Sequence, residues 1–119
     1  MQQILITSTL GEVLLLELPE RRITCNGASY LLKATPCRLM HLLLLNTGEI
    51  VSRKKIYKEI WGYDFDPGTK IIEVHVYYLR RTLASLNSLF EIKTHRGQGI
   101  SLQPIDNSQV RAGEVPGFA

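Results

Sequence analysis

Apolar residues in this chain switch from strand-like to helix-like spacing near Lys33, and back to strand-like spacing near Phe90. A strand buries every second residue and a helix every third or fourth, so the two switches divide the chain into three blocks. The first block breaks into short runs, Ile4 to Thr7, Glu12 to Leu18, Arg21 to Cys25 and Ser29 to Lys33, rich in Ile, Leu, Thr and Tyr. Turn residues separate them at Leu10-Gly11, Pro19-Glu20 and Asn26-Gly27, the last suited to a tight hairpin. A small antiparallel sheet of four strands is expected.

The middle block predicts three helices. Thr35-Pro36 reads as a start, with Thr as N-cap and Pro in the first turn. Leu39, Leu42, Leu43 and Asn46 form one stripe, Met40 and Leu44 widen it, and Gly48 suits the position just past the end. Ile50-Val51 is long enough only for a bridging strand. Ser52 caps a second helix running to about Trp61 and closed by Gly62, with Ile56 and Ile60 facing inward. Tyr63 to Gly68 is a loop. A third helix from about Thr69 to Ser85 carries Ile72, Val76, Leu79 and Leu83 on one stripe. The last block predicts a hairpin, Phe90 to His95 and Ile100 to Leu102, around Arg96-Gly97-Gln98-Gly99. A sheet, three helices and a hairpin, in that order, are the parts of an α+β winged helix-turn-helix with a C-terminal β-hairpin wing.

Length and composition bound the function. The 119 residues make one domain, expected over 1–103, with a mobile tail over 104–119. No apolar run approaches the ~20 residues that span a bilayer, and no basic residue precedes an N-terminal apolar stretch. A cytoplasmic protein without membrane contact is expected. Nine Lys or Arg and five Asp or Glu fall between Val51 and Ile100, a local excess of four, against a net charge of +3 for the whole chain. Such asymmetry points weakly to a polyanion.

The faces left over after core assignment narrow this. Arg53, Lys54 and Lys55 crowd the first turn of the second helix, with Lys58 one turn on. Cations there oppose the helix dipole, and a bound phosphate would reverse that penalty, although a solvated basic face is the plain alternative. On the third helix Lys70, Glu73, Val74, Tyr77, Tyr78 and Arg81 remain on or near solvent. In a major groove Val74 could pack on a thymine methyl, Glu73 could accept from a cytosine amino group, and Tyr78 could bond a base edge or phosphate. The alternative is that one tyrosine, Tyr77, packs on a neighbouring strand. Arg80 could reach a phosphate. Arg96, at a glycine-flanked tip, suits a narrow A·T-rich minor groove, and otherwise is a plain exposed turn residue.

Enzymatic chemistry has little support. His41, His75 and His95 fall on different elements, and no Ser or Cys has an evident His partner. Cys37 and His41 could share a helix face, with Cys25 as a third ligand, but a small residue packed in a first turn explains Cys37 as well. Gly97-Gln98-Gly99 lacks a third glycine and a following helix, so it is no dinucleotide site. No cofactor or metal is called for.

Four segments, Ser52-Arg53, Ile60-Trp61-Gly62, the run Ile72-Glu73-Val74-His75-Val76 with Leu79-Arg80-Arg81 and Leu83, and Thr94 with Arg96-Gly97 and Gly99, resemble the OmpR/PhoB-type winged-helix DNA-binding domain. The likeness covers about residues 1–103 and includes the N-terminal sheet. It implies a bacterial transcription regulator specific for double-stranded DNA. By position, Arg53, Trp61, His75, Tyr77 and Arg80 match phosphate contacts, joined by Lys54, Lys70 and Arg81 from the faces above. Glu73, Val74 and Tyr78 match base-facing positions, and Thr94 and Arg96 match minor-groove wing residues. Tyr63, Asp64, Phe65 and Asp66 fall in the loop that touches RNA polymerase in activators, and tandem homodimers on direct repeats are common. Several features depart from the pattern. Tyrosine replaces the frequent arginine at Tyr78, and Ile100 follows Gly99 where tyrosine is usual. Lys33 and Pro36 replace the usual Thr and Glu at the first helix. Nothing resembles a receiver domain, which leaves an excised effector, a free-standing regulator or a ToxR-like N-terminal domain. With ~4–6 phosphate contacts the salt slope of binding is expected near −4 to −5. The competing reading is a winged-helix protein-interaction module, favoured by the low net charge and the paired tyrosines.

Overall fold

A computed structural model describes residues 4–105 and, from residue 7 on, their side chains. Strands β1 (Ile4–Thr9), β2 (Glu12–Glu17), β3 (Arg22–Cys25) and β4 (Ala28–Leu31) form an antiparallel sheet in chain order. Leu16 sits opposite Ile23, and Cys25 opposite Ala28, which turns Leu14, Leu16, Ile23 and Cys25 inward together. The two-residue turn Asn26-Gly27 has positive φ at both positions, as the dipeptide predicts. Leu10-Gly11 makes the same kind of turn with Leu10 at φ 48°. Strand β4 is exposed along its whole length.

Helix α1 (Ala34–Leu45) begins earlier than its sequence suggests. Lys33, not Thr35, holds the N-cap position, because its carbonyl already accepts from the Cys37 amide at 3.0 Å. Pro36 lies in the first turn, where amides have no intrahelical partner and a missing N–H costs nothing. Asn46 ends the helix, which leaves Gly48 two residues further out, where its amide donates to the Leu102 carbonyl. Ser52 caps α2 (Arg53–Ile56), its hydroxyl accepting from the Lys55 amide at 3.1 Å. The helix runs directly into a wider π-type turn, Tyr57–Trp61, closed at Gly62.

Helix α3 (Ile71–Ser85) starts two residues later than the spacing predicts. Thr69 is held in the loop by its own partners: its hydroxyl lies 2.7 Å from the Tyr57 hydroxyl, and its carbonyl accepts from Arg53. At the other end Asn87, at φ 53°, lets the Ser88 amide return to the Leu83 carbonyl. Strands β5 (Phe90–His95) and β6 (Gly99–Pro104) form the hairpin. Val51 bridges to Ile100 and seats the hairpin against the segment before α2. The Ile105 amide donates to the Leu89 carbonyl at 2.8 Å, so the expected tail cannot begin at 104. The rest of it, 106–119, lies outside the described residues.

One core joins these parts. Leu39, Met40 and Leu43 of α1, Leu14, Leu16 and Ile23 of the sheet, Ile72, Val76, Leu79 and Leu83 of α3, and Ile92 and Leu102 of the hairpin all belong to one buried cluster. Glu12 is buried at its edge. Its carboxylate accepts from the Ser88 hydroxyl at 2.7 Å, the Leu89 amide at 2.8 Å and the Asn26 amide group at 3.2 Å, tying the sheet to the segment between α3 and β5. Among the described residues no helix is long and apolar enough to cross a membrane.

Candidate nucleic-acid interface

The buried stripe of α3 fixes what the helix offers outward. Lys70, Val74, Tyr77 and Arg81 lie opposite that stripe and are exposed, Val74 by 57% and Tyr77 by 62%. The Arg81 guanidinium lies over the Tyr77 ring, 5.8 Å from its centroid. Tyr77 therefore does not pack on a strand. Tyr78, expected over bases, sits half-buried on the flank against the core, and Tyr77 is the more outward of the pair.

On the opposite flank Glu73 meets Arg53 in an ion pair. Arg53 also donates to the Asp66 carboxylate at 2.8 Å and to the Thr69 carbonyl at 2.9 Å. A candidate base contact and a candidate phosphate contact thus face each other, with an acid of the loop as third member. Arg53 holds the Asp66 carboxyl below the usual carboxylate range, helped by the Gly68 amide.

Arg80 is likewise engaged. Its Nε donates to the Ile92 carbonyl at 2.9 Å, and its Nη2 to the Thr94 hydroxyl at 2.8 Å. This braces the root of the wing against α3. Arg96 is exposed at the tip. A cleft of about 510 Å³ opens between α3 and the wing, lined by Arg53, Lys54, Glu73, Arg80, Thr94 and Arg96 among others. Lys54 and Lys55 at the start of α2 are exposed.

A row of rings runs from the loop to α3. Phe65 stacks on Tyr63 with centroids 5.6 Å apart, Tyr63 on Tyr57 at 6.0 Å, and Trp61 on His75 at 6.1 Å. Tyr57 and Trp61, 5.4 Å apart, join the two ends. Burial against this row lowers the His75 pKa, so the imidazole is held toward its neutral form. Phe65 remains 60% exposed beside Asp64. Tyr57 escapes the sequence reading because Ile56 and Ile60 already account for the helix stripe. Its i, i+4 spacing to Trp61 was the available signal. Cys25 and Cys37 are both buried, and burial with the nearby Glu12 raises the Cys25 thiol to about 11. Among the described residues no group of three His, Cys, Asp or Glu side chains could hold a metal.

The sequence profile of the family described as "Transcriptional regulatory protein, C terminal" matches residues 27–102. The chain belongs to this family. Its members are DNA-binding transcription regulator domains, and this Trans_reg_C domain has their winged-helix architecture. The heme response regulator HssR of Staphylococcus aureus is 35% identical over 66 residues, 56% of this chain and 30% of that protein. The chain thus aligns with less than a third of that regulator's length. Among solved structures, the DNA-binding domain of CpxR from E. coli is similar with a TM-score of 0.66 at 26% identity, covering 85% of this chain and 98% of that one. The RstA DNA-binding domain of Klebsiella pneumoniae, solved in complex with the RstA box, has a TM-score of 0.69 at 22% identity, covering 83% of this chain and 97% of that one. The second likeness is one of fold.

Proposed function

We propose that this Trans_reg_C domain places the Lys70–Leu83 segment in the major groove of a specific operator, with the Arg96 wing in the adjoining minor groove. One observation carries this reading: the face of exposed Lys70, Val74, Tyr77 and Arg81 adjoins, through Glu73 and Arg80, an open cleft whose lining includes Arg96 and Lys54. Val74 and Tyr77 are the residues best placed to read bases, with Glu73 and Thr94 at the flanks. Lys54, Lys70, Arg81 and Arg96 supply cations, and Tyr77 adds a hydroxyl beside Arg81. Trp61, His75 and Tyr78 lie on the other flank, where phosphates of the same groove would pass. The exposed Phe65, with Tyr63, Asp64 and Asp66, is the surface offered to RNA polymerase. Tandem protomers on direct repeats and a cytoplasmic location complete the reading.

Selection from a random pool of duplexes, followed by salt titration of the winner, tests it. With ~4 phosphate contacts, log K is expected to fall with log[salt] at a slope near −3.6. Binding that ignores duplex sequence and salt would refute the proposal and leave the protein-interaction reading in its place.

A further inference from the structure

The guanidinium of Arg53 has five N–H groups, and three of its directions are already used. Nε meets Asp66, Nη1 meets Glu73, and Nη2 meets the Thr69 carbonyl. Its Cζ lies over the Tyr57 ring, 5.6 Å from the centroid, and the Tyr57 and Thr69 hydroxyls are hydrogen-bonded. Asp66 is fixed at its other oxygen by the Gly68 amide at 2.8 Å. For Arg53 to turn toward a phosphate, these bonds would break and two carboxylates would be left facing the DNA backbone. As arranged, one guanidinium is shared by two carboxylates, so Arg53 offsets part of the charge of Glu73. Glu73 Oε1 has no partner among the described residues and is the atom open to a base amino group.

We infer that Arg53 is a positioning residue: it orients Glu73 and offsets part of its charge for entry into the groove, and it pins the Tyr63–Thr69 loop to α3. The first half rests on the DNA-binding reading above, and the second half does not. Because one guanidinium holds both Glu73 and Asp66, fixing Glu73 against a base also fixes the loop. Operator binding then orders the surface on which Tyr63 and Phe65 stand.

The test uses Arg53→Gln, Glu73→Gln, Asp66→Asn and the Arg53→Gln/Glu73→Gln double variant, with the tightest selected duplex as probe. Arg53→Gln is expected to weaken binding ~10-fold, and adding Glu73→Gln to restore it to within about 2-fold of Glu73→Gln alone. The salt slope is expected to be the same in all four. If the loss persists undiminished in the double variant and the slope falls by about 0.9, Arg53 is a phosphate contact and the inference is overturned. Hydrogen exchange of the amides of residues 63–66, 68 and 69 in the free protein tests the pinning without DNA. Faster exchange in both Arg53→Gln and Asp66→Asn supports it, and wild-type rates in both overturn it. Duplex binding is expected to slow these amides in the wild type and not in Arg53→Gln. If the wild type selects no duplex, the proposed function falls while the free-protein arm still decides the pinning. Should Arg53→Gln fail to fold, Asp66→Asn alone carries that arm.

Discussion

Gly99 is where the wing meets the rest of the domain, and substituting it offers a sharp test of that junction. Its φ is 148°, and a Cβ there would stand 2.1 Å from the Val51 carbonyl oxygen, 2.8 Å from its carbon and 2.9 Å from the Ser52 Cα. All three are backbone atoms, so no flexible side chain can yield. The same stretch holds the bridge, in which the Val51 amide donates to the Ile100 carbonyl at 2.7 Å and the Ile100 amide returns to the Val51 carbonyl at 3.0 Å. Gly99→Ala must push this pair apart. Two lost bonds cost about 1 kcal/mol each, and the disfavoured backbone angle ~1–3 kcal/mol more. The sum is about 3–5 kcal/mol, or on the order of 15–20 °C in Tm for a domain this size. Gly97 is the control, since its φ is 75° but nothing lies within 4 Å of its Cβ position. Gly97→Ala should cost only ~1 kcal/mol, about 5 °C. Calorimetry and urea melts of both variants measure the difference. Equal melting temperatures would mean that the hairpin does not dock on Val51 as described.

Glu12→Ala removes a buried acceptor from three donors and should cost ~2–4 kcal/mol in urea unfolding; a loss below that of Ser88→Ala would contradict its role as a tie. Leu10 is 75% exposed in a left-handed turn position, so Leu10→Asn should raise stability by ~0.5–1 kcal/mol, and any destabilisation would show that the leucine packs on something. Because desolvation lowers the His75 pKa below 6.5, the unfolded chain binds its proton first as pH falls. Stability should therefore decline from above pH 6.5 through the lowered folded value and then level. His75→Gln should flatten that decline, and identical pH profiles for the two proteins would rule the assignment out.

The elements were legible because core stripes repeat. Ile72, Val76, Leu79 and Leu83 announce a helix at 3.6-residue spacing, and Asn26-Gly27 announces its turn by residue type. Boundaries were less so: α1 starts where the Lys33 carbonyl finds the Cys37 amide, a choice that Thr35 as a residue type does not reveal. Glu12 reads as a polar interruption of a strand because its principal partners lie 76 and 77 residues away. Arg53 and Arg80 illustrate the limit at the site. Sequence places both as cations beside a groove, but only tertiary packing brings Asp66 and Glu73 to one, and the Ile92 carbonyl and Thr94 to the other.

That allocation bears on the case for a DNA-free interaction module, which leaned on the low net charge and on Tyr77-Tyr78. Net charge sums the whole chain, whereas phosphate attraction depends on which cations are free at one face. Arg53 and Arg80, although they line the cleft, are also hydrogen-bonded within the domain and help shape that face by holding Glu73 and the wing. Lys54, Lys55, Lys70, Arg81 and Arg96 are among the exposed cations, and the proposed function sets them against the backbone. The tyrosines divide in the same way. Tyr78 is spent partly on the core, and Tyr77 lies beneath the Arg81 guanidinium, so the outward aromatic carries a cation with it. A ring and a guanidinium held together present both a stacking surface and a phosphate donor. An apolar protein partner would have to desolvate that charge, whereas a duplex would use it.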